Sequence, residues 1–365
     1  MLKPEYCLIV HGLFLYISLY IPLTKGGDPG SDMFSRMPIS YPLYNLYMLQ
    51  MILILALNLE NKWTELVQKA EKTVVHIVSL KKNNDNLWTN NHSEGSGFMF
   101  QMEGSIITNH HIVANSDQII ISSEEGTVFS AELIGSDPIL DIAILKIPIQ
   151  FWKKPLEFRN LENKKLLPGE EVMAIGNPFG LSSSVSKGII SAVDRFLDTK
   201  NYLKWGLIQT DVATNPGNSG GPMFDSEGRL IGMTSGKLAG EVENINFAIP
   251  IDKIIYWSEK ILKNKAIHPM IGLEVKEDYI NQDASSMKKI LKITNMSQST
   301  KNLISKNDII LKINGYAIDS KSKAFEIVDS LDYPDTIELL IFRYGVGEIK
   351  VSLNLKPREL DDRYL

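Results

Sequence analysis

From about residue 73 to residue 250 the chain alternates short Val/Ile-rich runs with Gly, Asn, Asp and Pro: GSGFMF, GSIITN, QIIIS, TVFSAELIG, DIAILKI, EVMAIG, VSKGIISAV, RLIGMTSG and INFAIP. Runs this short, punctuated this often, predict an antiparallel sandwich or barrel. Ahead of them, NKWTELVQKAEKTVVHIVSL predicts a short amphipathic helix passing into a strand, with Trp63, Leu66, Val67 and Ala70 at helical spacing. Behind them, IDKIIYWSEKILKN places Ile251, Ile254, Ile255, Ser258, Ile261 and Leu262 near one helical face, expected to pack back on the β unit. A boundary is expected at residues 264–269. The region beyond it mixes strands with a helix-like KSKAFEIVDSL and finishes in the charged segment KPRELDDRYL. There is no internal repeat.

Two apolar stretches precede all of this, CLIVHGLFLYISLYIPL (7–23) and LYNLYMLQMILILALNL (43–59), each near the lower limit for a membrane span. Lys3 fits a short signal-like start, but no small-x-small cleavage site follows either stretch, so an uncleaved anchor is expected over a removed signal. A buried core helix, or a start at Met33, Met37 or Met48 that leaves one apolar segment, are the alternatives.

Composition narrows the function classes. The 365 residues are 44% hydrophobic and 22% charged, enough for about two domains with a sizeable core. A net charge of -5 and the absence of a Lys/Arg-rich run argue against nucleic acid as a partner. The one cysteine, Cys7, leaves neither an intrachain disulfide nor a cysteine metal site.

The candidate chemistry centres on TNPGNSGGPMF (214–224). Its glycines, Gly217, Gly220 and Gly221, suit a tight turn. They also suit a nucleophile, Ser219, with Gly217 letting successive N–H groups face an oxyanion. A phosphate loop is excluded, because Pro222 and Met223 stand where Lys-Ser/Thr is required. An activated serine needs a histidine base and an orienting carboxylate. SIITNHHIVANSDQI supplies His110 and His111; GSDPILDIAILKI supplies Asp141 before an apolar strand, where a carboxylate is costly to bury unpaired. His, Asp, Ser is one of the chain orders in which the triad occurs.

With these residues in view, the chain resembles the HtrA/Do-type serine proteases, a trypsin-like double β-barrel followed by a PDZ domain. The resemblance runs in order through LVQKAEKTVVHI, GSGFMF, ITNHHIV, DIAILKI, VMAIGNPFGLSSSVSKGIISA, IQTDVATNPGNSGGP, GRLIGMTSG and INFAIPIDKI, over residues 63 to 257. It implies a mainly β chain: an apolar leader (1–60), a trypsin-like double Greek-key β-barrel (61–264), a PDZ-like α+β domain (265–357) and a charged tail (358–365). It implies His111, Asp141 and Ser219 as the triad, an oxyanion hole at Gly217, Asn218 and Ser219, and no cofactor or metal. His110 then falls at a variable position. Asn177 and Pro178 of AIGNPFG are read as a barrel turn.

The resemblance also implies a primary specificity pocket with Ala213 and Thr214 at its floor and Thr234, Ser235 and Gly236 on the facing wall, suited to small aliphatic side chains. MIGLEV (270–275) has the form of a PDZ carboxylate-binding loop, with Ile271, Gly272 and Leu273 capturing a C-terminal peptide by strand addition. Lys306-Asn307 stands where Pro-Gly or Ser-Gly is usual, and TNMSQSTKN replaces a Ser-Pro-Ala turn. The expected activity is hydrolysis of misfolded or exposed polypeptides outside the cytoplasm, by a homotrimer assembled through the segment around Trp63 and attached to the membrane by the leader. The alternative is a chaperone-like peptide binder with a dormant triad.

Overall fold

The structure, a computed structural model, describes residues 6–10, 13–17, 48–53, 62–83, 85–177, 183–198, 203–215, 217–237, 244–281, 286–359 and 365. The chain divides into two units, Met1–Leu59 and Glu60–Leu365. In the first, the described part of the expected spanning stretch forms two short strands, β1 (Tyr6–Val10) and β2 (Leu13–Ile17), paired antiparallel with Val10 opposite Leu13. The correction has a physical source: Tyr, Ile, Val and Phe favour strands, and an apolar run does not by itself distinguish strand from helix. Of the second stretch only 48–53 is described, and it is helical. No helix among the described residues is long and apolar enough to cross a membrane. Met33, Met37 and the rest of 43–59 lie outside the described residues, as do Pro178, Pro216 and 360–364.

In the second unit, residues 62–70 are helical, with Leu66 and Ala70 buried, and lead into the first of two closed barrels. The first is built from β3 (Val74–Lys82), β4 (Trp88–Met99), β5 (Ser105–Thr108), β6 (Gln118–Ser123), β7 (Val128–Asp137) and β8 (Ile142–Lys146), in the order β3-β4-β5-β8-β7-β6. Between β5 and β6 lies a helical turn, α1 (His110–Val113). The second barrel comprises β9 (Glu171–Gly176), β10 (Ser184–Asp198), β11 (Leu203–Thr210), β12 (Pro222–Asp225), β13 (Leu230–Lys237) and β14 (Asn246–Pro250), in the order β10-β11-β14-β13-β12-β9. Closure leaves neither barrel an open edge.

Why several strands read as unbroken apolar runs follows from which face each side chain takes. Along β8, Ala143 and Leu145 belong to the core of the first barrel, whereas Ile142 and Ile144 join a separate cluster with Met173 and Ile175 of β9. Val172 and Ala174 of β9 pack inside the second barrel. Such strands have one face in a barrel and the other in the layer between barrels, so strict alternation disappears. The loops carrying the candidate catalytic residues meet where these barrels face each other.

The amphipathic segment is α2 (Ile251–Leu262), with Ile251, Ile254, Trp257, Ser258 and Ile261 buried. Leu262, expected on the buried face, is exposed, and Trp257 takes its share of the contact. Asn264, in the left-handed region at φ +52°, ends the helix. Two short strands, β15 (Pro269–Met270) and β22 (Lys356–Pro357), pair with each other. Between them an antiparallel sheet runs β16 (Leu273–Asn281), β17 (Met287–Met296), β18 (Ile309–Ile313), β20 (Thr336–Arg343) and β21 (Gly347–Asn354), with β19 (Tyr316–Ala317) on β18. Asn307, at φ +76°, supplies the left-handed residue for which Gly is usual. The helix α3 (Lys321–Asp329) lies against β11: Ser322 Oγ accepts from the Gly206 N–H at 3.1 Å.

A buried histidine ties this C-terminal region to the first barrel. His268 Nε2 lies 2.7 Å from Asp137 Oδ2 on β7, Nδ1 lies 2.5 Å from Asp329 Oδ1 on α3, and the ring stacks on Trp257 at 3.7 Å. Burial disfavours the imidazolium, but the two carboxylates outweigh it and raise the pKa to about 9. With the folded value above the unfolded one, the stabilisation is complete below about 6.5 and is lost as pH rises through 9. The melting temperature, referenced to His268→Gln, is therefore expected to decline from pH ~6.5 upward. Parallel melting curves for the two proteins from pH 6 to 10 would show that the imidazole does not titrate in this way.

Candidate active site

Asn109 leaves β5 in extended conformation and the chain turns into α1, so the two histidines open a helical turn rather than extend a strand. They face different partners. His111 Nδ1 lies 3.0 Å from Asp141 Oδ1 and 2.9 Å from Oδ2, and the His111 backbone N–H donates to Oδ1 at 2.9 Å. His110 Nδ1 sits 2.9 Å from Ser136 Oγ. Burial lowers the His110 pKa, against the pull of Asp141 and Asp137.

Asp141 is held from every side. Its φ of +67° is a conformation that non-glycine residues seldom adopt unless their surroundings impose it. Asn109 Nδ2 donates to the Asp141 carbonyl at 2.9 Å, and Ser235 Oγ reaches Oδ2 at 3.1 Å. Upstream, Asp137 accepts from the N–H groups of Ile139 and Leu140 at 2.9 and 3.1 Å, shaping the loop that presents Asp141. Lys204 Nζ, from β11, completes the set at 2.9 Å from Oδ2. Burial alone would push the Asp141 carboxyl upward. The Lys204 ammonium and the His111 hydrogen bond and charge outweigh it, holding the carboxyl well below the usual range.

The Ser219 loop is fixed from the first barrel by one residue, Ser96 of β4. The Ser96 N–H donates to the Ser219 carbonyl at 2.8 Å, its Oγ donates to the Gly217 carbonyl at 2.5 Å, and the same Oγ accepts from the Asn177 N–H at 2.8 Å. Thr108 Oγ1, one residue before Asn109, donates to the Ser96 carbonyl at 2.7 Å. Ser96 thus connects the serine loop to the strand that delivers His111. Gly220 is required here twice over: its φ is +82°, and a Cβ would collide with Ser96 O and Thr108 Oγ1.

From the other side, Thr234 Oγ1 donates to the Asn218 carbonyl at 2.5 Å, and its backbone exchanges hydrogen bonds with Gly220 and Gly221. Asn218 turns its own N–H inward to the Asn215 carbonyl at 3.0 Å. The N–H groups of Gly217 (φ +98°) and Ser219 make no hydrogen bond among the described residues. Free donors at a turn are what an oxyanion needs. Ser219 Oγ is not hydrogen-bonded to His111 in this structure; such contacts commonly tighten only when substrate binds.

A cavity of about 300 Å³ opens beside the pair, with His110, His111, Asp141, Lys204, Ser235 and Gly236 on its wall. The five residues expected around a pocket are divided by the structure. Ser235 and Gly236 border the cavity. Thr234 is buried beneath the Ser219 loop, and the Ala213 carbonyl accepts from Asn218 Nδ2 at 3.4 Å beside the half-buried Thr214. In the C-terminal region, Gly272 has φ +85°, and the N–H groups of Ile271 and Gly272 donate to the Leu365 carbonyl at 2.5 and 2.9 Å. Leu365 N–H returns a bond to the Leu273 carbonyl at 2.6 Å.

Ser96, Lys204 and His268 are the site's unforeseen residues. Lys204 carried a readable signal, a cation between Leu203 and Trp205 in an apolar run, which implies a buried partner. Ser96 and His268 carried none, since their partners lie 121 and 131 residues away for the contacts to Gly217 and Asp137.

The chain matches the Trypsin-like peptidase domain family over residues 95–233, a span that holds His111, Asp141 and Ser219. It is 35% identical over 278 residues to a probable periplasmic serine endoprotease DegP-like of Pseudomonas putida, covering 73% of this chain and 57% of that protein. The chain thus spans little more than half the length of that relative. Serine endoprotease DegS of Haemophilus influenzae is 34% identical, with 72% of this chain and 76% of DegS covered. Serine protease Do-like HtrA of Bacillus subtilis is 32% identical, with 82% and 74% covered. Among solved structures, HtrA-type protease AlgW with tripeptide superposes with a TM-score of 0.68 at 25% identity, over 81% of this chain and 97% of that one. Two barrels that bring His111, Asp141 and the Ser219 loop together, with relatives that match over most of their length, have one reading: the chain belongs to the family of HtrA-type, trypsin-like serine endoproteases.

Proposed function

We propose that this protein is an endopeptidase that hydrolyses exposed or misfolded polypeptides, with Ser219 as nucleophile, His111 as general base and then acid, and Asp141 as the group that orients the imidazole. The observation that carries this reading is the approach of His111 Nδ1 to both Asp141 oxygens, on a turn that Thr108 and Ser96 tie to the Ser219 loop. Ser219 Oγ attacks the peptide carbonyl, His111 takes its proton and delivers it to the leaving amine, and the Gly217 and Ser219 N–H groups receive the oxyanion. Asn218, whose N–H is bonded inside the loop, acts there as a spacer. The test is casein degradation by the purified protein and by Ser219→Ala. Equal cleavage by both would dismiss the nucleophile, while activity confined to the wild type supports it. Binding of unfolded protein without cleavage by either would favour the dormant-triad reading.

Ala213, Thr214 and the 234–236 wall contain no acid to hold a Lys or Arg side chain, so cleavage is expected after Val, Ala or Ile. Mass-spectrometric mapping of casein products checks this, and a majority of basic cleavage sites would contradict it. We read 61–264 as the protease domain and 265–357 as a PDZ-like domain. The convergence of Ile271 and Gly272 N–H groups on one carbonyl, with Leu273 accepting in return, suits capture of a peptide terminus by strand addition. An extracytoplasmic location accords with the DegP-like relatives described as periplasmic. Attachment through 1–60 rests on its apolar sequence, and detergent dependence of extraction tests it. A homotrimer through the Trp63 segment, where Lys187 Nζ stands 5.0 Å from the ring centroid, is tested by light scattering.

A further inference from the structure

The Asp141 carboxylate has a partner that the triad chemistry does not require. Lys204 Nζ donates to Asp141 Oδ2 at 2.9 Å and to Ser235 Oγ at 3.0 Å, while Ser235 Oγ itself reaches Oδ2 at 3.1 Å. The Lys204 side chain is only 12% exposed and the Asp141 side chain 8%, so solvent screens this pair weakly. Oδ2 is also the oxygen 2.9 Å from His111 Nδ1. One carboxylate oxygen therefore serves an ammonium and the imidazole together.

We propose that Lys204 is a positioning residue of the catalytic pair, fixing the Asp141 carboxylate and weakening the carboxylate's hold on the proton that His111 acquires during the reaction. This rests on the reading of His111 as the base. Two physical effects follow from the geometry. The ammonium restrains a residue whose backbone is already in a strained conformation, adding a side-chain tether to those from Ser235 and from the His111 and Asn109 nitrogens. It also places a positive charge on the same carboxylate oxygen that faces the imidazole, and two like charges sharing one counter-ion oppose each other.

Among the described residues, the other titratable groups near this pair have partners of their own. His110 on α1 is turned to Ser136, and Asp137 on β7 is engaged by His268, which in turn holds Asp329 of α3. Lys204 is the cation in contact with the Asp141 carboxylate. Its strand is also the one that α3 contacts, through the Gly206 N–H to Ser322.

The test compares wild type, Lys204→Met, Lys204→Gln and Lys204→Arg, with circular dichroism and melting curves to verify folding. The first readout is the pH profile of kcat/KM on a chromogenic peptide. The second is the titration midpoint of the His111 ring by ¹⁵N NMR in a Ser219→Ala background, with the signal assigned by its loss in His111→Gln. Lys204→Met and Lys204→Gln are expected to move both the acid limb and the midpoint upward, by roughly half to one pH unit, because the carboxylate then serves the imidazolium alone. Lys204→Arg keeps the charge and is expected to retain the wild-type values. Folded Met and Gln variants whose limb and midpoint coincide with the wild type would overturn the proposal, as would an Arg variant that shifts as far as Met. If Ser219→Ala hydrolyses peptide as fast as wild type, the triad assignment fails instead, and the NMR midpoint still reports on Lys204 separately.

Discussion

Replacing His111 by alanine is expected to lower turnover by on the order of 10⁶, as deep a loss as Ser219→Ala, because it removes the base proposed to take the serine proton. His110→Ala is expected to stay within about tenfold of wild type, roughly 1.4 kcal/mol of barrier. The difference lies in the helical turn: successive residues project in different directions, so one ring meets Asp141 and the other meets Ser136. Peptide turnover of the two variants checks this. The reverse order would mean that His110 is the base and that the Asp141 contact is structural.

Asp141→Asn is expected to cost about 10⁴ in kcat, the magnitude seen when a triad aspartate becomes an amide and holds the imidazole in the wrong tautomer. In this protein the change has a second consequence. The amide presents an NH₂ group toward either the His111 nitrogens or the Lys204 ammonium, all of which now donate to carboxylate oxygens. Breaking a buried pair by neutralising one partner costs on the order of 3 kcal/mol or more, since a charge is left uncompensated. The folded Asp141 carboxyl titrates below its unfolded value, so this stabilisation is complete above the ordinary aspartate range and fades only as pH falls beneath it. Adding Lys204→Met to Asp141→Asn should therefore recover stability in a denaturant titration while activity stays lost. A double variant no more stable than Asp141→Asn alone would show that the two residues are not energetically coupled.

The barrels, and the turn that carries Ser219, were legible for the same reason: they rest on local chemistry. Gly217 and Gly220 sit at left-handed backbone angles, and short Val/Ile runs punctuated by turn residues favour strands. The pocket was less legible. A wall implied by the resemblance did not reveal that Thr234 is committed to the loop beneath Ser219, or that Ser235 reaches Asp141. The apolar leader was least legible, because hydrophobicity alone does not choose between a spanning helix and the β1–β2 pair of its described part.

What the sequence by itself determined is the strand content and the set of candidate reacting groups, since backbone permissiveness, turn residues and apolar spacing are properties of neighbours in the chain. What only the tertiary structure decided is how those groups are held. Ser96 joins the two barrels, Lys204 comes from the second barrel to the carboxylate of the first, and His268 bridges carboxylates on β7 and α3. Each of these contacts spans from 61 to 131 residues of chain. A polar residue that is costly to bury announces that a partner exists. Closure of the barrels and the packing of α3 on β11 select which partner it is.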